Sequence, residues 1–118
     1  NMGNVLLYTL GEAELKSDAK VVLDKIGSLF ATSDGYVVVE GYTDDIPVKT
    51  ERFPSNWELS SARASSVVRY LSDQGVDASR FKVIGHGPFD PLVPNNSEEN
   101  RARNRRVKLT LKPMLEGR

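Results

Sequence analysis

Gly41–Arg63, GYTDDIPVKTERFPSNWELSSAR, decides how this chain folds. It begins where an apolar, β-branched run, Tyr36-Val37-Val38-Val39, is ending, and it closes inside a segment with helical spacing. Two adjacent acids, Asp44 and Asp45, and two prolines, Pro47 and Pro54, lie between. Proline fixes φ and lacks the amide hydrogen, so Asp44–Phe53 is predicted to be loop. Ser55-x-x-Glu58 is a capping-box pattern, which predicts a helix from near Trp57 to about Asp73, stopped by Gly75. Tyr36–Thr43 carries only Glu40 as a charge and reads as a central strand buried on both faces.

Working outward, Phe81–Ile84 is the next strand, closed by the turn Gly85-His86-Gly87-Pro88. Pro91 and Pro94 keep the following segment irregular. Asn96-x-x-Glu99 reads as a second capping box, opening a short helix through about Arg103. Val107, Leu109 and Leu111 alternate with Lys108, Thr110 and Lys112, a strand with one wet face, ended by Pro113. On the N-terminal side, Ala19, Val22, Leu23, Ile26, Leu29 and Phe30 follow helical spacing between Leu15 and Phe30. Val5–Tyr8 reads as a short first strand. The order is β-α-β-α-β-(short α)-β. Helices between strands favour crossovers onto a sheet, and the last strand, following only a short helix, is open to antiparallel pairing. The expected fold is an α/β (α+β) two-layer sandwich, a mixed sheet covered by helices on one face.

The 118 residues suit a single domain, and 16 basic residues balance 16 acidic ones. A neutral chain offers no general attraction to nucleic acid or an anionic membrane. With no cysteine, disulfides and thiolate metal sites are excluded. No apolar run approaches the roughly 20 residues of a membrane span. Asn4–Leu10 lacks the charged lead and cleavage signature of a signal peptide. The Asn1-Met2 start reads as the edge of an excised domain.

An acid pair leaving a strand and an arginine on a helix face can together clamp a small zwitterion, carboxylate to ammonium and guanidinium to carboxylate. Leu59, Arg63, Val67 and Leu71 form one i, i+4 row, so Arg63 belongs on or beside the face turned to the sheet. A charge there needs a partner. One reading is a structural ion pair with Asp44, Asp45 or Glu58; the other is a ligand carboxylate site. Asp44 and Asp45 lie at a strand's C-terminal end, where ligands collect in open α/β sheets, but a solvated turn with an Asx bond fits them too. Neighbouring turn residues point apart, and no second cluster of acids or histidines completes a metal or hydrolytic set. His86 has no triad partners. Enzyme chemistry, a metal and a cofactor are therefore not expected. Arg101-Ala102-Arg103-Asn104-Arg105-Arg106 is the densest positive run, yet alternation back from Val107 puts Arg105 and Arg106 on opposite faces. Nucleic acid is not expected as a partner.

Gly41-Tyr42-Thr43-Asp44, Asn56-x-x-Leu59-Ser60-x-x-Arg63-Ala64-x-x-Val67, Gly85-His86-Gly87 and Asn104-Arg105-Arg106-Val107 resemble, in order, the blocks of the OmpA-like peptidoglycan-binding domain. The similarity runs from about Gly11 to Leu111. It divides the chain into a lead segment with the first strand (residues 1–14), the domain (11–113) and a tail (114–118). The longer loop Asp45–Phe53 and the string Phe53–Ser60, with Trp57, look like the periplasmic part of flagellar stator B subunits (MotB or PomB).

The resemblance implies non-covalent binding of peptidoglycan through the diaminopimelate of its stem peptide. Asp44 matches the family residue that contacts the amine and Arg63 the one that contacts the carboxylate. Thr43, Asn56, Leu59 and Arg106 stand at blocks lining the same groove. His86 stands where many relatives carry an aromatic or other residue. The stator likeness implies a homodimer and a periplasmic domain of an inner-membrane protein in a Gram-negative bacterium. An N-terminal membrane segment would meet a stator A subunit, flagellar basal-body ring proteins would be neighbours, and the residues before the domain would act in control. A cell-wall anchor of another envelope protein, unrelated to motility, is the alternative.

Overall fold

Val37 and Val39 lie on the same side of strand β2 (Tyr36–Gly41) and are both fully buried, whereas Tyr36, Val38 and Glu40 on the other side are only half-buried. That alternation sets the architecture. The computed structural model describes residues 4–8 and 11–114. Around β2 are strand β1 (Asn4–Leu7), helix α1 (Ser17–Ala31), helix α2 (Asn56–Asp73), a 3-10 turn (Ala78–Arg80), strand β3 (Phe81–Gly85), helix α3 (Glu98–Asn104) and strand β4 (Arg106–Lys112). The four strands form one sheet in the order β1-β4-β2-β3. β2 runs parallel to β3 and antiparallel to β4, with Val39 opposite Leu109 and Gly41 opposite Val107. β1 completes the sheet antiparallel to β4.

The expected mixed sheet with helices on one face is therefore present. The expectation that β2 is buried on both faces is not met: with one helical layer, a sheet can bury only one side of each strand. The core joins Val37, Val39, Val107 and Leu109 from the sheet to Leu23, Ile26 and Phe30 of α1 and to Ala64, Val67 and Leu71 of α2. The buried stripe of α1 is narrower than its periodicity predicts. Val22 and Leu29 are 42% and 52% exposed, on the flank of the helix rather than in the core. The strand expected over Val5–Tyr8 is assigned to Asn4–Leu7, and Tyr8 follows it as a buried residue.

Both ends of α2 follow local chemistry. Ser55 is the N-cap; its Oγ accepts from the Trp57 amide at 3.2 Å and donates to Glu58 Oε1. The Ser55 hydroxyl first, then the Glu58 backbone amide, hold the Glu58 carboxyl below the usual glutamate range. At the other end Gly75 takes φ 107°, where a Cβ would be strained. The second cap differs by one residue from expectation. Ser97, not Asn96, caps α3, accepting from the Asn100 amide at 3.1 Å. Asn96 instead accepts from the Asn100 side chain at 3.0 Å.

Glycine lets α2 sit low on the sheet. A Cβ built on Gly41 would fall 1.9 Å from the Ser60 carbonyl oxygen and 3.3 Å from the Ala64 nitrogen, both backbone atoms that no rotamer can move aside. Gly41→Ala is therefore expected to lift the N-terminal half of α2 and cost at least about 3 kcal/mol, the upper end for overpacking. A urea midpoint unchanged from the parent would show that the helix can shift freely.

Candidate functional site

At the C-terminal end of β2 the chain leaves the sheet through Tyr42, Thr43 and Asp44, and all three are buried. Thr43 is pinned twice. Its amide donates to the Gly87 carbonyl at 3.0 Å and its Oγ1 donates to the Asp44 carbonyl at 2.8 Å. Asp44 Oδ1 accepts from the Ile46 amide at 3.0 Å, closing an Asx turn, and its Oδ2 accepts from Arg105 Nη1 at 2.9 Å. Arg105 also donates to the Tyr8 carbonyl at 3.0 Å and to the exposed Glu98 carboxylate at 2.8 Å. Burial works against the Arg105 charge, but the bonds to Glu98 and Asp44 outweigh it and hold the guanidinium above its ordinary value. The Arg105 bond pulls Glu98 below the usual glutamate range. Any stability from Glu98 is thus complete above that range and is lost as pH falls through its lower folded value, weakly, because solvent screens it.

Among the described residues Arg63 heads the fully buried side chains by volume. Its Nε donates to the Glu12 carbonyl at 2.7 Å and its Nη1 to the Tyr42 carbonyl at 2.9 Å, and the guanidinium lies 5.2 Å from the centre of the Tyr8 ring. Burial pulls Arg63 down to about 10, with Tyr8 and Asp44 opposing, so it stays charged at neutral pH. Of the acids expected as structural partners, Asp44 pairs with Arg105 and acts on Arg63 through the field. Asp45 pairs with Arg101 at 2.9 Å on the surface, and Glu58 turns to the cap.

The other expected site residues divide. Asn56 caps the loop, its Nδ2 donating to the Ile46 carbonyl at 3.2 Å, while its Oδ1 is buried with no hydrogen-bond donor among the described residues. Leu59 packs with Ala13 and Phe53 in a small cluster beneath the loop. Arg106 lies on the other face of the sheet, its guanidinium 3.6 Å from the centre of the Tyr42 ring. His86 stacks on Tyr42 with ring centres 4.4 Å apart, and its Nε2 is 3.0 Å from Glu40. Burial first, then Glu40, pushes the Tyr42 hydroxyl up to about 12. Tyr42 thus joins both faces, with its carbonyl on Arg63 and its ring beside Arg106. Arg105 was not among the residues expected at the site. Its place on the side of Val107 was readable from alternation; its pairing with Asp44 was not. A cleft of about 810 Å³ opens at the far end of the sheet. Arg80 there donates to the carbonyls of Phe30, Ser33 and Gly35, which gives it a structural role.

The OmpA family model matches residues 7–105, most of the chain, including Asp44, Arg63 and Arg105. The chain belongs to the OmpA family. It is 38% identical over 108 residues to the uncharacterized protein YtxE of Bacillus subtilis, covering 91% of this chain and 45% of that protein. The C-terminal domain of Helicobacter pylori MotB superposes with a TM-score of 0.85 at 27% identity, over 92% of this chain and 83% of that one. The cell wall anchor of the T6SS from Pseudomonas aeruginosa superposes with a TM-score of 0.82 at 37% identity, over 92% and 76%. The chain spans about half the length of the curated relatives it matches. An OmpA-family domain homologous to MotB periplasmic domains and to a cell-wall anchor is a binding domain, not an enzyme.

Proposed function

We propose that the domain anchors its parent protein to peptidoglycan outside the cytoplasmic membrane, by non-covalent binding of the diaminopimelate stem peptide. The observation that carries this is the buried Asp44–Arg105 pair beside Arg63, at the end of a strand that meets the start of a helix. One carboxylate and two guanidinium groups within one hydrogen-bonded network suit a zwitterion. Asp44 takes the ammonium and Arg63 the carboxylate, with Thr43, Asn56 and Leu59 shaping the groove and Arg106 holding Tyr42 from the far face. Binding then competes with contacts already made: the ammonium with Arg105 for Asp44, the carboxylate with a main-chain carbonyl for Arg63. Such a site favours a ligand that supplies both charges at once.

For the machine being anchored, we infer a flagellar stator subunit that acts as a homodimer, in the periplasm, with a membrane segment and a stator A subunit as partner. The MotB likeness and the loop through Asp45–Phe53 support it. A non-motile anchor is the second reading, favoured by the higher identity to the secretion-system anchor and to the probable lipoprotein YiaD of Escherichia coli, 37% in each case. An upstream membrane helix bearing an acid decides for the stator, and a lipidation signal decides against it.

The test is co-sedimentation with insoluble peptidoglycan, competed by free diaminopimelate. The domain is expected in the pellet and released by competitor, with no soluble muropeptides. A domain that stays in the supernatant sinks the reading, and release of muropeptides would replace it with a hydrolase.

A further inference from the structure

Trp57 is the single tryptophan of the chain, and it lies on the surface, 52% exposed, beside Phe89 at 70%. Their ring centres are 5.3 Å apart and the planes meet at 39°, a shallow open angle. The pair is held in place. Gly87 has φ 64°, and a Cβ there would lie 3.4 Å from the Trp57 ring and 3.6 Å from the Phe89 ring, so both rings rest against one turn. Ser60 Oγ accepts from the Gly87 amide at 2.9 Å and donates to the Trp57 carbonyl at 3.1 Å, locking that turn to the first turn of α2. Two large aromatics fixed in solvent contribute little to folding and are typical of a contact surface.

Charge narrows the occupant. Tyr8, Tyr36, Tyr42, Phe53 and Tyr70 each have a lysine or arginine against the ring. Among the described residues Trp57 and Phe89 have only each other. The area argues against a second copy of the chain, since two rings of about 150–250 Å² fall far below the 1,200 Å² or more of a stable interface. The platform also adjoins the proposed groove. Asn56 is the next residue to Trp57, and the Gly87 carbonyl accepts from the Thr43 amide at 3.0 Å.

We propose that Trp57 and Phe89 form a sugar-stacking platform for the glycan strand, beside the groove that takes the stem peptide. The proposal rests on the peptidoglycan reading and extends it from the peptide to the amino-sugar backbone. Sugar and peptide belong to one polymer, so a weak stacking contact raises the affinity of the whole by effective concentration.

Trp57 reports its own occupancy. Peptide-free glycan chains, titrated into the protein, are expected to change its fluorescence saturably. Trp57→Ala with Phe89→Ala should lower affinity for intact sacculi about tenfold and leave affinity for sugar-free stem peptide within about twofold. Trp57→Phe should restore sacculus binding, since it keeps an aromatic face. Absence of a fluorescence change overturns the proposal. So does unchanged sacculus binding in the double variant, an equal loss toward stem peptide, or a change confined to self-association in sedimentation. Glycan binding that persists when stem peptide does not bind would instead sink the stem-peptide reading and leave the platform standing.

Discussion

Arg63→Ala is expected to lower the melting temperature by about 10–20 °C, from a loss of about 3–5 kcal/mol. The substitution deletes a large, fully buried side chain and strands the carbonyls of Glu12 and Tyr42, which it holds at 2.7 and 2.9 Å. Each buried acceptor left without a donor costs about 1–3 kcal/mol, and the cavity adds to that. Against this stands relief of the desolvation that drags the Arg63 guanidinium down to about 10. The relief is the smaller effect, because Arg63 ties the residues before α1 to the end of β2, and alanine can span neither gap. Arg63→Met fills the volume without the bonds and should recover only part of the loss. A methionine variant as stable as the parent would show that packing, not hydrogen bonding, is what Arg63 supplies. An alanine variant that is neutral or stabilised would mean that the guanidinium is held for ligand rather than for the fold. Sacculus binding should be lost in both variants.

Asp44→Asn should abolish sacculus binding and cost about 2–3 kcal/mol of stability, less than the full price of breaking a buried ion pair. The amide still accepts from the Ile46 nitrogen, and Arg105 keeps Glu98 and the Tyr8 carbonyl. The reverse change is harsher. Arg105→Ala leaves the Asp44 carboxylate, 2% exposed, without its ion-pair partner, and should cost about 3–5 kcal/mol. A double-mutant cycle in urea should return a favourable coupling between the two. Asp45→Asn is the control. Its pair with Arg101 is at the surface, so stability should change by less than about 1 kcal/mol. Its sacculus binding should stay within a few-fold. If Asp45→Asn abolishes binding and Asp44→Asn spares it, the acid that meets the ligand is the neighbour of the one proposed. If neither acid matters, the site lies elsewhere.

Much of the frame was legible because it is local. Val107, Leu109 and their polar alternates mark a one-sided strand, and that is how β4 is buried. Ser55 and Glu58 locate the start of α2 to within a residue. The i, i+4 row Leu59-Arg63-Val67-Leu71 places Arg63 inward, and all four side chains are buried. Errors arose where a local pattern was asked about its neighbours. Val22 and Leu29 lie within the apolar arc of α1, but the width of the buried stripe depends on what faces it. Ser97 and Asn96 are both competent caps, and the path of the incoming chain chooses between them.

By itself, then, the sequence determined the order of elements, the start of α2, the inward placing of Arg63 and membership of the OmpA family. The tertiary structure alone decided the partners. Asp44 meets Arg105 across 61 positions because the order β1-β4-β2-β3 sets the start of β4 beside the end of β2. Arg63 meets carbonyls 51 and 21 positions away because α2 crosses above both. Hydrophobic period and capping are short-range and can be read along the chain. Pairing of buried charges depends on which strands become neighbours, and that is settled only when the sheet assembles.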